Sequence, residues 1–164
     1  MQLVEYEIES SLASVFATIP GAKVITSWGA AEQGEVKGEL MPADTVTLSI
    51  AVGAPQYDQY TVPSCSLPVA LVVGIRREAA PTGAKLAEVL EPVASVLNTL
   101  QRDYSAVNAL STPGFTADGV RLDGGTAPEF DKTLNIWRVT RAFTIRVFAS
   151  PLYKTVCGAD VAPP

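Results

Sequence analysis

Residues 134–149 read LNIWRVTRAFTIRVFA, and their apolar and polar side chains alternate along almost the whole stretch. Trp137, Val139, Phe143, Ile145 and Val147 fall on one side, Arg138, Thr140, Ala142, Thr144 and Arg146 on the other. A period of two held this long belongs to a strand with one buried face. It commits the chain to a sheet covered on one side and open on the other. Arg141 interrupts the apolar side, and three placements would reconcile it: near the strand's edge, beside an acid, or in a contact between subunits.

Two other segments follow the same pattern. Thr45 to Val52 sets Val46, Leu48, Ile50 and Val52 against Thr45, Thr47, Ser49 and Ala51, and predicts a half-buried antiparallel strand. Leu67 to Arg77 points Val69, Leu71, Val73 and Ile75 inward, with Arg76 and Arg77 leaving the sheet. Lys23 to Trp28 predicts a short strand, and Phe115 to Leu122 another, closed by an Asp123-Gly124-Gly125 turn. Residues 29–39 hold three glycines and three glutamates and read as a mobile loop or hairpin tip; residues 53–66 read as an irregular connection.

Two segments carry helical spacing instead. From Leu3 to Ile19, an apolar stripe of Val4, Ile8, Leu12, Val15, Phe16 and Ile19 turns Glu5, Glu9, Ser10 and Ser14 away, and Pro20-Gly21 ends it. After Thr82, an expected N-cap, a second stripe runs through Leu86, Val89, Leu90, Val93, Val96, Leu97 and Leu100. Pro92 lies inside that stripe and predicts a kink or a split. The expected fold is therefore α+β: a single, mostly antiparallel β-sheet with two helices packed on one face. Residues 1–150 make one domain, and 151–164 are expected to be a loosely ordered tail.

Composition narrows the chemistry. The 164 residues are 48% hydrophobic and 18% charged, enough apolar material for a core and too much for a disordered chain. No apolar run approaches membrane-spanning length, and the acidic start MQLVEYEIES is not that of a secretory signal. The net charge of −5 argues against a chain that neutralises phosphates. In residues 1–60 eight acids face two lysines, a net −6, whereas residues 61–164 sum to +1; that asymmetry suits either head-to-tail packing of copies or an ordinary solvated surface.

The chain has no histidine, and its two cysteines, Cys65 and Cys157, lie far apart, so no zinc cluster or Ser-His or Cys-His pair can be assembled. Two thiols in a reducing compartment are the expectation for those cysteines. Thr82-Gly83-Ala84-Lys85 lacks the glycine spacing of a phosphate loop. Asp118, Asp123, Glu129 and Asp131 gather around glycine-bearing turns, but not at calcium-loop spacing, and read as turn-forming side chains. No catalytic, metal or cofactor site is expected. Trp28, beside the glycine-bearing loop, is either an interface anchor or part of its own core, and Tyr57 and Tyr60 share that ambiguity.

Three passages carry a family resemblance. They are the helix IESSLASVFATIPG running into AKVITSW, the strand-to-helix passage LPVALVVGIRREAAPTGAKLAEVLEPVASVLNTL, and FTADGVRLDGG followed by EFDKTLNIWRVTRAFTIRVFA. In this order they resemble the tail-completion or tail-terminator proteins of long-tailed bacteriophages, over most of residues 8–149. The long 101–132 tract and the proline-bearing stretch 53–68 depart from the pattern. The resemblance implies a structural virion protein, not an enzyme, found in the tail or neck and in the host cytoplasm during assembly. It implies a closed ring of identical subunits, commonly six, that caps the tail tube protein and docks it to the head-tail connector or a head-completion protein. DNA would pass through the bore without specific binding. Another neck or tail component is the alternative, and an enzyme or ligand-binding domain the more distant one. The expected interface residues are Trp28, Glu32, Glu35, Lys37 and Glu39 around the 29–39 loop, with Arg76, Arg77, Arg138 and Arg146 from the strands.

Overall fold

A computed structural model of the chain describes residues 3–28, 46–57, 64–76, 82–133 and 135–149. Glu32, Glu35, Lys37, Glu39, Tyr60, Arg77, Cys157 and the 151–164 tail lie outside them. In chain order the elements are α1 (Val4–Phe16), β1 (Ala22–Thr26), β2 (Val46–Val52), β3 (Gln56–Tyr57), β4 (Ser64–Arg76), α2 (Thr82–Arg102), α3 (Tyr104–Asn108), β5 (Phe115–Gly125), β6 (Glu129–Asp131) and β7 (Ile136–Ala149).

The two long alternating segments lie side by side. β4 and β7 pair antiparallel from Ser64↔Phe148 to Arg76↔Ile136, which stacks Cys65, Leu67, Val69, Val73 and Ile75 beside Val147, Ile145, Phe143, Val139 and Trp137. β2 joins the other side of β4 in phase, Val46 opposite Ile75 and Val52 opposite Val69. The order β1-β2-β4-β7-β5 makes a mixed sheet, because β1 runs parallel to β2. So β2, expected as an antiparallel strand, is antiparallel on one side only.

Both long helices cover the same apolar face. Val4, Ile8, Leu12 and Phe16 of α1 and Leu86, Val89, Val93, Leu97 and Leu100 of α2 join the strand residues in one buried cluster. The fold is α+β, as the periodicities predict. Pro92 does not split α2, which runs unbroken over 21 residues with Thr82 as its first helical residue. The missing N–H leaves the Glu88 carbonyl without its usual donor four residues on, a loss that tertiary burial of Val89 and Val93 offsets.

The tract 101–132 is less irregular than its turn-rich sequence suggests. Asp103 caps α3 by accepting the Ser105 N–H at 2.9 Å. Asp123-Gly124-Gly125 is not a turn but part of β5, whose register against β7 shifts twice, between Ala117 and Gly119 and between Leu122 and Gly124. Strict alternation from Ala117 would carry Gly119 and Arg121 onto the core side. The first shift puts Val120 opposite Ile145 and Leu122 opposite Phe143 instead, and turns Arg121 to the open side. β6 then continues along the same side of β7, so the sheet ends in a bulged edge that discourages strand addition.

The stretch 53–66 also contains sheet: β3 and the start of β4 extend the β2 side. Pro68, inside β4, cannot donate to the ladder. Its carbonyl accepts the Gly53 N–H at 2.7 Å, so its missing donor faces the same β2–β3 junction, where the register slips by one residue. A Cβ on Gly53 would lie 2.9 Å from Pro68 Cγ.

Arg141 is resolved by the break between β5 and β6. Its Nη1 donates to the Thr126 carbonyl at 3.1 Å and the Thr140 carbonyl at 3.2 Å, so the guanidinium leaves the apolar side through the gap in the outer strand. Of the three expected placements, the one near an edge is nearest. Gly125 makes that gap possible, since a Cβ there would collide with the Thr140 carbonyl oxygen. Gly125→Ala should therefore lower stability by about 1–3 kcal/mol through this overpacking. Gly119→Ala, whose Cβ meets nothing within 4 Å, should be close to neutral. Urea titration of both variants checks the contrast.

Candidate interaction surfaces

Both long helices lie on the apolar face, and the register names the occupants of the other one. Arg76 of β4 and Arg138 and Arg146 of β7 share this side with Ser49, Ala51, Ala70, Val72, Thr140, Ala142 and Thr144. Arg121 joins them through the β5 bulge. Arg138 and Arg146 lie on this face, as the alternation predicts; Arg76, expected to leave the sheet, stays in β4 opposite Ile136 and shares it, while Trp28 lies beyond β1.

Each outer arginine is fixed by a carboxylate from the bulged edge. Arg146 meets Asp118 in a two-pronged pair, Nε donating to Oδ1 at 2.8 Å and Nη2 to Oδ2. Arg121 Nε donates to Asp123 Oδ1 at 2.8 Å, and the Thr144 hydroxyl donates to Asp123 Oδ2. Arg138 Nη1 stands 3.1 Å from Asp131 Oδ2, while Asp131 Oδ1 accepts the Thr133 N–H. The aspartates that look like a loop cluster in the sequence thus serve as arginine partners and turn acceptors. The pairs are solvated: Arg121 and Arg146 side chains remain 76% and 62% exposed, so orientation matters more here than stability.

The second surface lies at the opposite end of the sheet. Trp28 is 42% exposed and meets Tyr6 of α1 edge-on, with ring centroids 6.1 Å apart. Tyr6 is itself 48% exposed, as is Leu3. The chain has already left β1 at Thr26, and Ser27 and Trp28 are helical rather than part of the expected strand. A groove of about 330 Å³ continues from there between α1 and β1, lined by Ser10, Ala13, Ser14, Ala17, Val24, Ile25 and Thr26.

A buried acid holds this corner together. Glu9, expected on the solvent side of α1, is 0% exposed. Its Oε2 accepts the Ser27 hydroxyl at 2.6 Å and the Val52 N–H at 3.1 Å, and its Oε1 accepts the Trp28 N–H at 3.0 Å. One carboxylate thus ties α1 to the end of β1 and the end of β2. Three donors on two oxygens are what a buried carboxylate requires. The signal was present: Glu9, Leu12 and Phe16 follow an i, i+3, i+7 spacing that sets Glu9 on the margin of the apolar stripe.

No protein-family model matches the chain, and comparison with curated protein sequences finds no match either. Among the described residues, no helix is long and apolar enough to cross a membrane.

Two measurements test these assignments. Glu9→Ala should cost about 2–4 kcal/mol, because it strands buried N–H groups of Trp28 and Val52. Glu9→Gln, which keeps an acceptor, should cost less; urea unfolding of the pair gives the order. Asp123 is held below its usual carboxylate range, first by the Thr144 hydroxyl and then by Arg121. The unfolded chain binds that proton more readily, so the contribution is present above the ordinary value of 3.8 and is lost as pH falls through the folded value. Wild type should therefore lose more stability than Asp123→Asn between pH 6 and pH 3, as read from urea midpoints at each pH.

Proposed function

We propose that this chain is a ring-forming structural subunit of a long-tailed phage, of the tail-terminator or tail-completion kind. Six copies would form a closed ring that caps the tail tube and presents the surface to which the head-tail connector or a head-completion protein docks. The observation that carries the reading is the asymmetry of the sheet. Its apolar face is filled by the chain's own helices, while the opposite face carries hydroxyls and aspartate-paired arginines and the two edges are unlike each other.

A ring requires a heterologous contact, in which one patch meets a different patch on the next copy and the rotation closes. The aromatic corner beyond β1 and the arginine-bearing bulged edge at β5 and β6 supply two such unlike patches, set at opposite ends of one sheet. The order of elements from α1 through β7 is also the order on which the family resemblance rests. The net charge of −5 suits a bore through which DNA must slide without being gripped. In this reading the protein belongs to the virion and makes or breaks no bond.

Light scattering on the purified chain should give the mass of a closed oligomer, several times the 17.3 kDa of one copy. Added to polymerising tube protein from the same phage, it should stop growth at a defined length. A monomer at all concentrations would refute the ring. A ring that leaves tube growth unchanged would move the protein to another part of the neck or tail.

A further inference from the structure

Large apolar side chains left to water gather where β1 and β2 finish and β4 begins. Leu3, Tyr6, Trp28 and Tyr57 stand there around the first turn of α1, all four exposed. Tyr6 meets Trp28 directly, and Leu3 lies three residues before Tyr6 on the same side of the helix. Tyr57 lies opposite Cys65, on the side of the sheet that α1 covers. Its phenol is raised above the ordinary value by partial burial, then by Cys65 and Glu5, so it stands within electrostatic reach of that first turn. Apolar groups clustered in this way mark a contact surface, whereas the same groups scattered singly do not. Glu5 and Glu7, in the same turn, have no basic partner among the described residues.

The chain itself brings an occupant to this end. Val147, Cys65 and Tyr57 form one row across three strands, so β7 leaves the sheet two interstrand steps, about 10 Å, from β3. β7 finishes at Ala149, and Pro151 lacks the N–H that a further ladder step would use. Leu152, Tyr153 and Lys154 follow at once, and at about 3.3 Å per residue a stretch of this length reaches from Ala149 to Tyr57. Residues 29–45 leave the same corner but must run back along β1 to start β2 beside Ala22. Residues 58–63 are taken up closing β3 onto β4, and 77–81 join β4 to α2 at the far end.

We propose that residues 151–154 dock on the first turn of α1 in the same chain, with Leu152 and Tyr153 against Leu3, Tyr6, Trp28 and Tyr57 and Lys154 beside Glu5 and Glu7. Apolar groups then cover apolar groups, and the one base in residues 150–164 meets two acids. Glu9 accepts the Trp28 N–H, so part of the surface is fixed before anything docks on it. Attachment favours the chain's own segment over a second copy. A short tether supplies an effective concentration on the order of 1 mM, so a contact with a Kd of about 0.1 mM between separate molecules is mostly closed within one chain. The inference goes beyond the ring reading and does not rest on it. With the segment in place, the corner that a neighbouring copy would meet includes residues 151–154.

Trp28 reports the contact. Trp137→Phe leaves it as the one tryptophan of the full chain, and circular dichroism verifies that this parent and its variants keep the wild-type fold. Adding Leu152→Ser/Tyr153→Ser should shift Trp28 emission to longer wavelength and raise its quenching by acrylamide. Lys154→Glu should move both in the same direction, and Val161→Ser, beyond the docked stretch, should move neither. A peptide of residues 150–156, added to the Leu152→Ser/Tyr153→Ser chain at about 1 mM to match the tethered concentration, should restore the parent's emission and quenching. Equal quenching in the parent and in the Leu152→Ser/Tyr153→Ser chain overturns the docking. Recovery when that chain is mixed at micromolar concentration with a Trp28→Phe chain carrying an intact segment overturns the assignment to the same chain, because the occupant is then a second copy.

Discussion

The antiparallel ladder between β4 and β7 is the constraint on which the structure depends. Thirteen consecutive residue pairs hold the two strands in phase, so on the core face every apolar side chain of one stands beside an apolar side chain of the other, except where Leu71 meets Arg141. A slip of one residue would turn one of the two apolar rows to solvent, at about 1.5–3 kcal/mol for each large side chain exposed. β2 on one flank and β5 on the other inherit that phase. The two long helices then have one surface to cover, and they cover it.

The opposite face is a consequence of the same ladder. It holds the alternate residues, chiefly hydroxyls, alanines and arginines. The outer arginines are positioned by aspartates from the bulged edge, so charge that would otherwise swing freely is held in fixed planes. At the other end, Glu9 joins α1, β1 and β2 with one carboxylate and sets the direction of Trp28. Two prepared and unlike surfaces at opposite ends of a sheet are what a repeating assembly needs. That physical match, together with the order of the elements, is why a structural role in a phage tail is the reading we favour.

Much of this was legible in the sequence where periodicity could speak. The alternation in residues 46–52, 67–76 and 136–149, and the three- and four-residue steps around Ile8 and Val89, identify strands, helices and buried sides correctly, because burial on one side imposes those periods. Arg138 and Arg146 could be placed on the face opposite the core for the same reason. Legibility failed where a backbone shift or a distant partner decided the outcome. The β5 bulges reset the phase of a strand, and so disguise Asp123-Gly124-Gly125 as a turn and hide Arg121 among core-facing positions. Glu9 looks solvated because its partners, Ser27, Trp28 and Val52, lie 18, 19 and 43 residues away.

The sequence by itself determined the α+β class, the one-sided core and the identity of the residues that fill it, since these follow from local period and hydrophobicity. Only the tertiary structure decided that β1 runs parallel to β2, that a glutamate belongs in the interior, and that three aspartates and three arginines within residues 118–146 become three oriented pairs. Those outcomes rest largely on hydrogen bonds between segments that only the fold brings together, such as Arg146 with Asp118 and Glu9 with Val52, and a local period does not name such partners.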